Sequence, residues 1–357
     1  MEYQFTKEQI NEYKDYFLKH GFCVIINILN NERIKSTIDE IWEHPALLND
    51  GIIKKGLPET WEKWLSDDKG FLDLKAGHSE IYLNNYWRNH LDENIVNIFE
   101  TLYEDEVKCY PDRIGIMRPT KGKQGKPEWK TSEGWLHLDS NPWDIKPKIQ
   151  LQGLLTLTKQ DENSGGFCCI PNFHLKIAEW AEKNKELLNQ NANFDDIYYF
   201  QKNAKEYEDI VKLEAPAGSL IIWDERIPHS NYPNNNEYFR IVEYMNYYRT
   251  SQINQHHKNR LAKLCLEISY YNYLQQNQIE NENSNDSQQL YLLNNTDEKQ
   301  KNLIDYDKYV NNNLNQKEIN GYIKYKEATK QESLGNVDEA IKLYRSAYKL
   351  CPITQNF

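Results

Sequence analysis

Residues 134–143 of the chain read GWLHLDSNPW and place His137 two residues before Asp139. On a β-strand, residues i and i+2 project from the same face, so this imidazole and this carboxylate would point to a common position. Both groups are ordinary ligands of transition metals. The pair predicts part of a metal site, while a partly buried histidine on a polar strand face is the alternative interpretation of so short a pattern.

A third candidate ligand and a cation occur later in the chain. His229 closes the segment GSLIIWDERIPH, and Arg240 lies eleven residues further on, inside the apolar run FRIVEYMNYY. Two histidines and one carboxylate leave coordination positions open, which suits Fe(II) in oxygenases. A buried arginine requires an anion, and its planar guanidinium matches a carboxylate bidentately. That carboxylate could belong to a ligand or to an acidic side chain of the protein.

These residues lie in a region whose pattern predicts β-strands. Between residues 131 and 248, short apolar runs are bounded by Gly, Pro, Asn or Asp, with one polar, helical insertion around 174–207. Antiparallel strands at this spacing indicate a sandwich or barrel of jelly-roll type. Helices are predicted before them, over 6–20 and 30–44, with a strand in FCVIINIL between. The predicted strands are 149–158, 165–171, 218–223 and 239–248.

The last third of the chain has a different composition. Residues 251–317 are rich in Asn and Gln and predict a polar linker with a possible helix. Residues 318–357 predict a helical hairpin that resembles one tetratricopeptide repeat. A single repeat cannot bury its own apolar face, so it would pack on the preceding domain or bind a protein partner. The positions that carry this resemblance are Ala328, Gly335, Ala340, Tyr344, Ala347 and Pro352.

Charge and composition narrow the possible classes of protein. The chain has 43 Lys and Arg against 54 Asp and Glu, a net charge of -11, which disfavours nucleic acid and anionic membranes as partners. No apolar run reaches the roughly 18 residues of a membrane-spanning helix, and the first residues lack the apolar stretch of a signal peptide. The six cysteines form no CxxC pair. We therefore expect a cytoplasmic protein with reduced thiols.

The segments GWLHLD, LQGLLTLTKQDENSGGFCCIPNFH and APAGSLIIWDERIPHSNYPNNNEYFR resemble the phytanoyl-CoA dioxygenase family of Fe(II)/2-oxoglutarate oxygenases, over about residues 1–250. The resemblance implies a mainly β domain with flanking helices, folded as a double-stranded β-helix (jelly roll, cupin-like). It also implies that His137, Asp139 and His229 bind iron and that Arg240 binds 2-oxoglutarate. The expected reaction consumes O2, with ascorbate as a possible reductant, and hydroxylates a small molecule or acyl derivative while succinate and CO2 are released.

Further positions follow from the same resemblance. Asn231 stands where members often have Ser or Thr near the 2-oxoglutarate carboxylate, and Arg113 lies on the preceding strand, where cosubstrate or substrate contacts occur. Trp143, four residues after Asp139, is expected to line the pocket or to pack, whereas packing is favoured for Trp135. Residues 171–174, PNFH, lack the glycine of the family's PGSH turn.

The sequence also allows a protein of another class, a binding scaffold. An inactive oxygenase fold could serve as a scaffold that binds a partner through its C-terminal hairpin, or the hairpin could bring a protein substrate to an active oxygenase domain. An intact set of His137, Asp139, His229 and Arg240 favours the enzyme, since a scaffold has no chemical need for all four.

Overall fold

The structure is a computed structural model that describes residues 1–43, 52–64, 67–71, 83–144, 150–190, 197–254, 257, 266 and 316–351. The chain divides into two compact units. The first comprises Met1–Asp105 and Pro111–Tyr247, and the second comprises Glu106–Tyr110 and Tyr248–Phe357. The predicted linker, 251–317, lies almost entirely outside the described residues.

Two β-sheets form the centre of the first unit. One contains six strands in the order β1-β2-β9-β5-β11-β3, and the other contains five in the order β7-β4-β10-β6-β8. Apart from the parallel pair β1–β2, the strand pairs with described register are antiparallel. The strands are β1 Gln4–Phe5, β2 Phe22–Ile25, β3 Val107–Met117, β4 His137–Leu138, β5 Leu151–Thr156, β6 Gly166–Cys169, β7 Tyr198–Tyr199, β8 Val211–Lys212, β9 Leu220–Asp224, β10 His229–Tyr232 and β11 Arg240–Arg249.

The main apolar core draws on both sheets. Phe22 and Leu154 from the six-stranded sheet belong to the same buried cluster as Leu138 and Phe167 from the five-stranded sheet. Two sheets that share one core in this way hide their inner faces from water, which is the jelly-roll arrangement. The predicted fold class is confirmed, and the four predicted apolar runs form β5, β6, β9 and β11.

Helices flank the sheets as expected, although the first begins later than predicted. The backbone N–H of Thr6 donates to Oε1 of Gln9 in a turn, and the helix starts at Ile10. It ends at Gly21, which takes the left-handed φ of 79° that glycine adopts without strain. The helices of this unit are α1 Ile10–His20, α2 Asn31–Glu43, α3 Asn84–His90, α4 Glu93–Tyr103, α5 Ile177–Lys183 and α6 Lys185–Gln190.

The turn at residues 171–174 keeps its left-handed conformation without glycine. Asn172 has φ 64° and donates its backbone N–H to the carbonyl of His20. Asparagine tolerates this region better than other residues that carry a Cβ atom. The departure from the family's PGSH pattern therefore does not remove the turn.

The second unit contains the predicted helical hairpin. Helices α7 Gln316–Ser333 and α8 Val337–Leu350 pack against each other, and Gly335 between them has φ 79°. Ala328, Ala340 and Ala347 are buried. The hairpin is confirmed, whereas its membership of the tetratricopeptide class stays a prediction and Pro352 lies outside the described residues. Within the described helices, none is long and apolar enough to cross a membrane.

Candidate metal centre

His137 and His229 lie opposite each other on neighbouring strands of the five-stranded sheet. They are register partners in the antiparallel pair β4–β10, and their ring centroids are 4.3 Å apart. Asp139 follows directly after β4. One ligand atom from each of these three residues can be chosen so that all lie within 4.8 Å of one another. The sheet therefore assembles the three predicted ligands into one group able to hold a metal ion.

Both imidazoles direct Nε2 towards the Asp139 carboxylate. Nε2 of His137 is 3.3 Å from Oδ1, and Nε2 of His229 is 3.4 Å from Oδ2. Nδ1 of His229 is 3.0 Å from the carbonyl oxygen of Ile227, and because a carbonyl only accepts, Nδ1 must carry the proton. The lone pair of Nε2 then faces the carboxylate, which is the orientation of a histidine that binds metal.

The protonation states at the centre also suit a cation. Burial and the neighbouring His229 lower the pKa of His137 despite the opposing effect of Asp139. Burial alone would raise the pKa of Asp139, but the neighbouring imidazoles of His137 and His229 outweigh burial and hold the pKa well below its usual value. At neutral pH, His137 is uncharged and Asp139 is ionised, as metal binding requires.

Gln152 on β5 is a residue of the centre that the sequence did not reveal. Its amide nitrogen Nε2 donates to Oδ2 of Asp139 at 2.7 Å. In IQLQGLLTLT the residue looks like an outward polar position of an alternating strand, and only the packing of the two sheets brings it to Asp139. A partner of this kind orients a ligating carboxylate.

A cavity of about 160 Å³ opens beside the three ligands. Trp135 and Tyr199 stack on the ring of His137 at centroid distances of 5.0 and 5.6 Å. The sequence favoured packing for Trp135, but its ring lines the cavity. Aromatic rings, polar groups and charges share the wall, which includes Lys69, Phe71, Asp112, Arg113, Phe167, Asn231 and Tyr244.

Trp143 does not line this cavity. Its backbone N–H donates to Oδ1 of Asn141, in a turn that leads the chain away after Asp139. The indole packs against Trp180 and Tyr198, and its Nε1 donates to a backbone carbonyl of α5. Of the two environments expected for Trp143, pocket wall and packing, its described contacts are those of packing.

Arg240 begins β11, and its guanidinium is buried. Nη2 donates to Oδ1 of Asn231 at 3.0 Å, and the amide nitrogen of Asn231 donates to the hydroxyl of Tyr244 at 3.0 Å. No acidic side chain in the described part of the chain forms an ion pair with Arg240, and its Nε has no hydrogen-bond partner there. Burial lowers its pKa, although an arginine remains charged in proteins. This arrangement favours an anion supplied by a ligand.

Arg113 lies in the cavity wall, and its contact with cosubstrate or substrate stays a prediction. Its Nε donates to Oδ1 of Asp112 at 3.2 Å, and its guanidinium lies 4.8 Å from the centre of the Phe71 ring. Arg118, on the same segment of chain, donates instead to the carbonyl of Trp61.

Fold and site together define a jelly-roll protein with a His-Asp-His centre, and comparison with known proteins places it in a family. The model of the phytanoyl-CoA dioxygenase (PhyH) family matches residues 17–242, and the chain belongs to this family. A Dictyostelium discoideum protein named after the phytanoyl-CoA dioxygenases is 24% identical over 292 residues, which is 70% of this chain and 80% of that protein. The Ava biosynthesis cluster protein O of Aspergillus versicolor is 27% identical over 243 residues, 64% of this chain and 75% of that one.

Solved structures of similar fold were also found. EctD from S. alaskensis, with 2-oxoglutarate and 5-hydroxyectoine, is 17% identical at a TM-score of 0.44. The aligned part covers 67% of this chain and 75% of the EctD chain. The epimerase SnoN, in complex with Fe3+, alpha ketoglutarate and nogalamycin RO, is 12% identical at a TM-score of 0.44, with coverages of 69% and 88%.

Proposed function

We propose that the protein is an Fe(II)- and 2-oxoglutarate-dependent dioxygenase that hydroxylates a small molecule or acyl derivative. The observation that carries this proposal is the group of His137, Asp139 and His229, whose ligand atoms lie within 4.8 Å of one another beside an open cavity. Membership of the phytanoyl-CoA dioxygenase family supports the same reaction class.

The residues of the centre fit Fe(II). Two imidazole nitrogens and one carboxylate oxygen leave coordination positions for a cosubstrate and for oxygen. Iron bound here would supply the activation of dioxygen, coupled to decarboxylation of 2-oxoglutarate to succinate and CO2. His137, Asp139 and His229 would hold the ion, and Gln152 would keep the carboxylate of Asp139 in place through its 2.7 Å hydrogen bond.

Arg240 is the residue that we assign to the distal carboxylate of 2-oxoglutarate. It is buried, has no acidic partner among the described residues, and is oriented by Asn231. The guanidinium fork can bind a carboxylate bidentately. Asn231 lines the cavity, so its predicted direct contact with 2-oxoglutarate stays part of this proposal. The aromatic rings around His137 would limit the access of water to the reaction.

Release of succinate tests the reaction class before any primary substrate is known. Purified protein supplied with Fe(II), O2 and 2-oxoglutarate should form succinate slowly, and Asp139→Ala should reduce this formation at least 100-fold. Asp144→Ala is a matched control, because Asp144 is a neighbouring aspartate outside the centre. Equal succinate formation by wild type and Asp139→Ala would reject the proposed centre.

Exposed apolar residues on the C-terminal hairpin favour a second role for the protein, the binding of a protein partner. Leu334, Val337 and Ile341 on the hairpin are exposed large apolar residues, and Val337 and Ile341 share one face of α8 because they are four positions apart. Deleting residues 318–357 should abolish association with such a partner while formation of succinate is retained. If the folded deletion variant lost succinate formation as well as association, the hairpin would not serve partner binding alone.

A further inference from the structure

Residues 67–71 form a short loop that is attached to the wall of the cavity. Oδ1 of Asp67 accepts hydrogen bonds from the backbone N–H groups of Lys69 and Phe71 at 2.8 and 3.0 Å. Phe71 forms an antiparallel bridge with Gly115 of β3. Gly70 is buried with φ 88°, and a Cβ atom there would come within 2.6 Å of Cγ of Met117. These contacts fix the loop against β3 and so determine where Lys69 projects.

Lys69 places its ammonium group next to the candidate metal centre. Nζ is 5.1 Å from the centre of the Trp135 ring and 5.0 Å from that of Tyr199, and it donates to the Tyr199 hydroxyl at 3.1 Å. Both rings stack on His137. The lysine lines the same cavity as the three ligands. Two π faces hold the cation, yet neither supplies a negative charge.

The charges around the cavity leave Lys69 without a counterpart. Asp112 pairs with Arg113. In the proposed function, Fe(II) is matched by Asp139 and by the carboxylate of 2-oxoglutarate beside its keto group, and Arg240 is matched by the other carboxylate. No acidic side chain within the described residues forms an ion pair with Lys69, whose described partners are Tyr199 and Trp135. The ammonium group of Lys69 therefore has no acidic partner among the described residues, although the chain as a whole carries a net charge of -11.

We propose that Lys69 is the recognition site for an anionic group on the primary substrate, and that this substrate is a small organic acid with a flat or apolar body. The proposal rests on the proposed function, since it assigns the other charges of the cavity to iron and 2-oxoglutarate. Phe71, Trp135 and Tyr199 offer the apolar surface for the body of the molecule. The anion is a carboxylate or a phosphate ester, because the lysine ammonium is a point charge that can pair with either.

Matched pairs of acid and amide test this assignment. We would load the full-length protein with Fe(II) and saturating 2-oxoglutarate under nitrogen and measure dissociation constants by NMR titration. The probes are 3-phenylpropionate, 4-phenylbutyrate and indole-3-acetate, each with its neutral amide, together with 2-phenylethyl phosphate. Each amide keeps the shape of its acid and removes only the charge. Variants Lys69→Gln and Lys69→Arg are compared with Lys123→Gln, whose lysine is exposed on the 121–127 loop.

We expect at least one acid to bind about tenfold more tightly than its amide in the wild type. Lys69→Gln should reduce this preference to less than about twofold, Lys69→Arg should retain part of it, and Lys123→Gln should retain all of it. Tighter binding of the phosphate than of the carboxylates would assign the site to phosphate esters. No preference in the wild type, or an undiminished preference in Lys69→Gln, would overturn the proposal.

The visible absorption band of the iron chelate with 2-oxoglutarate, recorded on the same wild-type samples, separates two kinds of failure. A band without a preference for acids would reject the role of Lys69 and leave the proposed function intact. The absence of a band would reject the proposed function and, with it, the assignment of Lys69.

Discussion

The amide nitrogen of Gln152 donates to Oδ2 of Asp139 at 2.7 Å, so that a residue of one sheet holds a carboxylate of the other. Because an ionised carboxylate only accepts hydrogen bonds, the NH2 group of Gln152 must face Asp139. Its Oε1 is buried and has no partner in the described structure. The contact orients the one carboxylate ligand of the centre.

Substitution Gln152→Ala should weaken metal binding by about 10- to 100-fold, as is typical when the partner of a ligating group is removed. Titration of the metal-free protein with Co(II), followed by absorbance, measures this affinity. Gln201→Ala, at an exposed glutamine, is the control and should bind as the wild type does. Unchanged affinity in Gln152→Ala would show that Asp139 does not depend on this hydrogen bond.

Substitution Arg240→Met should raise the dissociation constant of 2-oxoglutarate about 100-fold. The variant removes the proposed partner of the distal carboxylate, and methionine is apolar, so no unpaired charge remains buried. Calorimetric titration of the metal-loaded protein with 2-oxoglutarate gives the constant. Arg249→Met, at the other end of β11, serves for comparison. An Arg240→Met protein that binds 2-oxoglutarate normally would assign the guanidinium to a structural role.

Glu243 should make stability dependent on pH. Burial raises the pKa of this carboxyl from its ordinary value of 4.5 to about 8, and the charge of Glu40 adds to the rise. The hydrogen bond that Asn89 donates and the charge of Arg33 oppose it. Between these values the folded state holds a proton that the unfolded state releases. The contribution of Glu243 to stability is therefore present below pH 4.5, is lost as the pH rises through 8, and changes little above that.

The matched variant for this prediction is Glu243→Gln, which keeps the shape of the protonated acid and cannot ionise. Its free energy of unfolding relative to the wild type should increase by about 2 kcal/mol or more between pH 5 and 8, since each pKa unit corresponds to about 1.4 kcal/mol. Urea denaturation at several pH values measures the difference. A difference that is constant with pH would contradict a protonated Glu243 in the folded protein.

The sequence predicted the parts of the site that depend on local geometry. His137 and Asp139 are two positions apart, so strand periodicity groups them. His229 was expected to close the segment that forms β9, but it begins the separate strand β10. Gln152 and Lys69 escaped prediction because contacts between distant segments place them. Gln152 reaches Asp139 across the two sheets, and Lys69 depends on the bridge between Phe71 and Gly115.

Contacts outside the predicted elements also explain where the tryptophans lie and where the first helix begins. Trp143 packs because a turn at Asn141 redirects the chain after Asp139. Trp135, for which packing was favoured, lines the cavity instead. The helix start moved from residue 6 to Ile10 because the backbone of Thr6 bonds to the side chain of Gln9. The four predicted apolar runs form strands, since apolar runs between turn residues specify them without reference to distant contacts.

The iron centre can be tested by titrating Fe(II) into the metal-free protein under nitrogen, with and without 2-oxoglutarate, using His137→Ala as the control. A weak visible absorption band should appear in the wild type, require both Fe(II) and 2-oxoglutarate, and be absent in His137→Ala. A folded wild-type protein that shows no band, or a band of equal intensity in His137→Ala, would contradict the claim that His137, Asp139 and His229 form an iron centre.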